Sequence, residues 1–156
     1  MKTLFFVCLI TLGQKAVAQR TVRQDRIKLS LAGIFISGHI LTFDFLVYNH
    51  SLLDYELQYI KFLIRERHLA IRTALQEREI LPLSPITAFQ LLSDTSQHLI
   101  LQFSQFGIPR TQELIIVVKE KNGFRDLSLH ISGHRFLKMI RTKNEEGPPV
   151  FNNQKN

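Results

Sequence analysis

The sequence predicts an all-β protein, an antiparallel, Ig-like β-sandwich of about seven or eight strands. Three observations carry that expectation. Apolar residues recur with a period of two through much of residues 27–141, the spacing that gives a strand one dry and one wet face. Turn-forming residues stand between the runs. The runs are short and follow one another at regular intervals. The chain has 156 residues, 45% of them hydrophobic and 21% charged. That suits a single domain with its own core and argues against global disorder.

The elements follow in order. "MKTLFFVCLITLGQKAVAQ" starts with Lys2, continues as an apolar run from Leu4 to Leu12, and ends in Ala16-Val17-Ala18. This is the layout of a secretory signal peptide, residues 1–18, cut between Ala18 and Gln19. The run is far shorter than the roughly 20 residues of a membrane span. The only cysteine, Cys8, lies inside it, so the mature chain forms no disulfide. The segment also carries Lys2 and Lys15 and no acid, so its removal lowers the net charge of +7 by two, to +5. A basic chain favours acidic surfaces without naming one.

Residues 19–26, "QRTVRQDR", read as a polar linker ahead of a sandwich domain at 27–141. "IKLSLAGIFI" and "ILTFDFLVY" flank Ser37-Gly38-His39 and are expected to form a hairpin, with Leu41, Phe43, Phe45 and Val47 on the dry face. Asn49-His50-Ser51 starts a loop. "YIKFLIRE" places Ile60, Phe62 and Ile64 on one face, opposite Lys61 and Arg65. "RERHLAIRTALQEREI" admits a helix or a hairpin turning near Glu66-Arg67-His68, and its β-branched residues favour the hairpin. Pro82 and Pro85 interrupt the chain. "HLILQF" and "ELIIVVKE" are strands separated by Gly107-Ile108-Pro109. "LSLHI" follows Asn122-Gly123, which is expected to be a tight I′ turn with two positive φ angles. Residues 142–156, with Pro148-Pro149, have little periodicity and are expected to be a disordered tail.

The search for chemistry finds little. There is no Gly-rich phosphate loop, and His39, His50, His68, His98, His130 and His134 are too scattered to outline a metal site. No cofactor is expected. Asp126, Ser128 and His130 carry the letters of a hydrolytic triad on one strand face. Neighbours at i and i+2 stand roughly 6–7 Å apart at the strand rise, which predicts no direct Ser–His hydrogen bond. Lys61, Arg65, Arg67, Arg72 and Arg78 alternate with Glu66, Glu77 and Glu79. That mixture suits a solvated, ion-paired surface or a protein interface better than a nucleic-acid stripe, so no direct nucleic-acid binding is expected.

The stretch "LAGIFISGHILTFDFLVYNHSLLDYELQYIKFLIRERHLAIRTALQEREILPL" resembles the second half of TraN, a conjugative-transposon transfer protein family of Bacteroides-type bacteria. The resemblance runs from about Leu31 to Ile140. It rests on Asn49, Ser51 and Tyr55, then Ile60, Phe62, Ile64 and Arg65. It continues through Arg72, Thr73, Ala74, Gln76 and Glu77, and Pro82-Leu83. "FSQFGIP" and "EKNGFRDLSLHI" follow, the latter with Glu120, Lys121, Asn122, Gly123, Arg125, Leu127 and Leu129. Asp126 stands where the family pattern has His. Members carry a further domain after the signal; here "QRTVRQDRIK" stands in that place, so a short form is expected.

The resemblance implies a non-catalytic, β-sandwich component of a conjugative, type IV secretion-like apparatus, similar to the outer-membrane core-complex subunit. It implies export to the periplasm, at the periphery of the outer membrane. The implied partners are other conjugation subunits, including a small outer-membrane lipoprotein, in an oligomeric assembly. Arg65, Arg72, Glu77, Arg78, Glu120 and Arg125 are the candidate interface residues. The alternatives are an unrelated secreted β-sandwich binding module and a degenerate, truncated copy. An aromatic sugar platform would favour the former, but the chain has no Trp and three Tyr. An exported hydrolase would rest on Asp126, Ser128 and His130.

Overall fold

A computed structural model of the chain describes residues 20–67, 77–86 and 89–142. Residues 1–18, the Ala18–Gln19 junction and residues 143–156 lie outside them, and with them the expected signal, cleavage site and most of the expected tail. The described residues form ten strands and one short helix. They are β1 (Arg20–Gln24), β2 (Ile27–Ser37), β3 (Ile40–Asn49), β4 (Tyr55–Glu66) and β5 (Glu77–Ile80). Then come β6 (Phe89–Leu91), β7 (Thr95–Ser104), β8 (Gln112–Glu120), β9 (Leu127–Ser132), α1 (Gly133–Met139) and β10 (Ile140–Thr142). One sheet has the order β1-β2-β3-β7, with β10 also on β2. The other has the order β5-β4-β8-β9, with β6 also on β4.

This is the expected all-β sandwich, with more strands than the sequence suggests. The alternation holds where it is clearest. Leu41, Phe43, Phe45 and Val47 of β3 are buried, as are Ile60, Phe62 and Ile64 of β4. Two bulges change the phase. In β2 the buried set passes from Ile27, Leu29 and Leu31 to Ile34, with the register shifting between Leu31 and Gly33. In β4 it passes from Tyr55 and Leu57 to Ile60, with the shift between Leu57 and Tyr59. One extra residue on a strand moves every later side chain to the other face, so each bulge keeps a long strand facing the core.

The core is aromatic at its centre. Phe43 of β3 lies 5.4 Å from Phe62 of β4 and 5.3 Å from Phe103 of β7, between ring centroids. Phe62 and Phe103 are 4.5 Å apart across the two sheets. Phe136 of α1 and Phe106 close one side at 5.6 Å. Edge-to-face and offset contacts at these separations add to the area that the rings bury.

Four expectations need correction. Residues 19–26 are not a plain linker: β1 pairs antiparallel with β2, Gln24 opposite Ile27. The tight turn with two positive φ angles is Asp25-Arg26 (46° and 68°), not Asn122-Gly123, where only Asn122 (54°) is positive. Val118 opposite Leu127 is the register of a turn centred on Asn122-Gly123, but β8 ends at Glu120 and β9 begins at Leu127, so residues 121–126 lie outside the ladder as a longer connection. The stretch after Glu66 does return as an antiparallel strand, but Arg65 faces Glu77, so the connection is not a tight turn at Glu66-Arg67-His68. Its residues 68–76, including Arg72, lie outside the described ones. The helix α1 and the parallel strand β10 were not legible as separate elements.

Candidate functional site

The polar residues at one end of the sandwich form a single network, and the strand phase explains why. Asn49 continues the buried series Phe43, Phe45, Val47; Glu120 continues Leu114, Ile116, Val118. Both are buried, at 0% and 5% exposure, so each must find internal partners. Asn49 Nδ2 donates to the carbonyls of Leu53 (2.8 Å), Leu92 (3.1 Å) and Leu91 (3.3 Å). Its Oδ1 accepts from the Ser51 N–H and Oγ–H, at 3.0 and 2.6 Å.

Glu120 is held by Arg125. The Arg125 Nε donates to Glu120 Oε1 at 2.9 Å, Nη2 donates to the same oxygen, and the Arg125 backbone N–H donates to Oε2 at 3.0 Å. The guanidinium reaches on to Ser51 Oγ (2.7 Å) and the Asp54 carbonyl (2.7 Å), and lies 5.4 Å from the centre of the Tyr55 ring. Burial pushes the Glu120 carboxyl up, but the hydrogen bonds from Arg125 outweigh it and hold the group below its ordinary range. Gly123 permits this closure: a Cβ there would come within 1.9 Å of Glu120 Oε2. Tyr55 is the exception in the network. Its buried hydroxyl has no hydrogen-bond partner among the described residues, and burial, with Glu120 next, pushes the phenol well above its usual range.

Around this clamp the loop tips are apolar and bare. Leu52 is 88% exposed, Leu53 69% and Phe124 90%. Leu92 is also exposed. A cleft of about 520 Å³ runs between Leu53, Phe124, Gln90 and Lys121.

A second network crosses the outer face of the β5-β4-β8-β9 sheet. Arg65 Nε donates to Glu113 Oε1 at 3.0 Å, and Nη1 lies 3.8 Å from Glu77. His130 Nδ1 is 3.4 Å from Glu113 Oε2, and His130 Nε2 is 3.1 Å from Ser128 Oγ. The expected absence of a direct Ser–His contact is therefore overturned. The strand rise separates backbones, while the imidazole is long enough to lean back along the strand. Asp126 takes no part. It accepts from Lys119 Nζ and from the Glu120 N–H at 3.1 Å, and the bond from Lys119 holds its carboxyl below the usual range. The Ser128–His130–Glu113 chain stands on an exposed sheet face, and Ser128 does not line the cleft between Leu53 and Phe124.

The candidate interface residues thus separate. Arg65 and Glu77 belong to the outer ladder, and Arg78 is exposed on β5. Glu120 and Arg125 are corrected: they are spent on each other and on the 51–54 loop, and so hold the loops rather than reach outward. The sequence reading did not single out Asn49 or Tyr55 as site residues, although period two already puts Asn49 on the dry face. Among the described residues, no group of three or more His, Cys, Asp or Glu could hold a metal ion, and no helix is long and apolar enough to cross a membrane.

A family model described as "Domain of unknown function (DUF4138)" matches residues 7–141. No curated protein matches the sequence. Among solved structures, the crystal structure of Spo0M, a sporulation control protein from Bacillus subtilis, is similar at 12% identity and a TM-score of 0.41. The similarity covers 69% of this chain and 47% of that one.

Proposed function

We propose that this chain, which belongs to the DUF4138 family, is a non-catalytic binding component of a conjugative DNA-transfer apparatus, working in the periplasm beside the outer membrane. One observation carries the reading: the motif residues that resemble TraN meet in space. Asn49, Ser51 and Tyr55 lie about seventy residues from Glu120 and Arg125 in sequence, and the two groups form one clamp. The clamp fixes loops that offer Leu52, Leu53 and Phe124 to solvent. Bare apolar tips on a pinned base suit a protein contact, since isolated proteins seldom expose such clusters without use. The partners in this reading are other transfer subunits, a small outer-membrane lipoprotein among them, and DNA is not contacted.

The test is made in a donor strain that carries the element. A Leu52→Ser/Phe124→Ser variant should accumulate at the normal level in the envelope, lose its cross-links to transfer subunits, and lower transfer at least tenfold. Unchanged transfer and cross-linking with that variant would sink the proposal.

A further inference from the structure

The strand β7 ends its sheet, and among the described residues no strand pairs with its outer side. Two bonds fix which residues face outward. The Gln105 N–H donates to the His39 carbonyl at 2.8 Å, on the β3 side. The Leu83 N–H donates to the Gln102 carbonyl at 2.7 Å, on the other side. Backbone groups alternate along an antiparallel strand, so Ser96, His98 and Ile100 turn their N–H and C=O groups away from β3. Among the described residues no backbone bond reaches those of His98 or Ile100.

Beside this edge runs a groove of about 440 Å³. β7 from Gln97 to Gln102 forms one wall, and Ser84, Pro85, Ile86 and Phe89 form the other. The lining holds no Lys, Arg, Asp or Glu. Its single titratable group, His98, is 2.7 Å from Asp44 through Nδ1. Leu99 and Leu101 are buried on the inner side of the edge, and Ile100 is 61% exposed on the outer side.

We propose that this groove takes up an extended, uncharged peptide segment of a partner protein as an added strand on β7. Successive outward N–H and C=O groups at strand spacing are matched by another extended backbone. The second wall selects a single chain: the rigid edge of another sandwich would meet Pro85 and Ile86 before it reached His98. Alternate side chains of the segment enter between Phe89 and Leu99, so they are apolar, and the others lie beside His98 and Gln102 at the surface. The Leu83–Gln102 bond marks where the added strand stops. This inference rests on the binding role proposed above and supplies the chemistry of one partner contact.

The test uses the isolated protein and a phage-displayed library of nine-residue peptides. Selected peptides should alternate apolar and uncharged polar residues, and should slow amide exchange at His98 and Ile100 at least tenfold. Ile100→Pro removes an outward N–H and leaves the β3 ladder intact, a position that edge strands tolerate; it should weaken the same peptides at least tenfold. Failure to select any peptide, equal binding by the folded Ile100→Pro protein, or protection confined to other amides would each overturn the inference. Because transfer subunits are absent from this assay, its failure leaves the loop-tip result in donor cells standing, and the converse also holds.

Discussion

Residues on the dry phase of a strand are the informative ones here. Asn49, Tyr55 and Glu120 all lie where the alternation demands an apolar side chain. Two of them solve the problem with hydrogen bonds, and the Tyr55 hydroxyl finds no partner among the described residues. Tyr55→Phe should therefore stabilise the fold by about 1 kcal/mol, the order of an orphaned buried hydroxyl's cost; urea denaturation measures it. Arg125→Ala does the opposite, because it strands the buried Glu120 carboxylate, and should destabilise by about 3–5 kcal/mol. Arg125→Lys should recover only part, since an ammonium lacks the fork that spans Glu120, Ser51 and Asp54. The burial of Asn49 was legible in the sequence from phase alone; that of Glu120 was not, because Leu114–Val118 is an unbroken apolar run without alternation. The partners of neither were legible, because Arg125 reaches Ser51 and Asp54 only once two sheets have been placed face to face.

At the scale of the element, strong runs were legible and short ones were not. β3, β7 and β9 keep one phase throughout, so their dry faces follow directly from the letters. β2 and β4 each contain a bulge, and a change of phase within a run has no compositional mark. β1 is polar except for Val22, and in sequence such an exposed edge strand resembles a linker. Its turn offers a direct check. Asp25 tolerates the left-handed region, but Arg26, at φ 68°, is held there against preference. Arg26→Gly should raise stability by up to about 1 kcal/mol, read from the thermal midpoint, if the β1–β2 hairpin forms. A free linker would show no gain. The outer-face chain from Ser128 to Arg65 shows the reverse lesson: the residue types were visible, but Glu113, from the neighbouring strand, completes it in place of Asp126.

For the whole molecule, two carboxylates among the described residues make the fold sensitive to acid. Glu120 and Asp126 both titrate below their ordinary values of 4.5 and 3.8 in the folded state. A depressed folded pKa contributes stability that is complete above the unfolded value and is lost as pH falls through the folded one. The thermal midpoint should therefore hold steady from neutrality to about pH 5 and decline below it. Glu120→Gln should flatten that decline while lowering the midpoint at neutral pH.

The shared edge of β2 has a mechanical consequence. β1 covers Ile27–Leu31 and β10 covers Ile34–Ile36, so the first and last described strands lie end to end along one side of the same strand. Tension applied at Arg20 and Thr142 bears on that strand and bypasses the aromatic centre. β1 runs antiparallel to β2 and β10 runs parallel to it, so pulling opens one ladder bond by bond and slides the other as a unit. The domain can be tugged by both ends, and the contacts between its sheets stay unloaded until that single margin gives way.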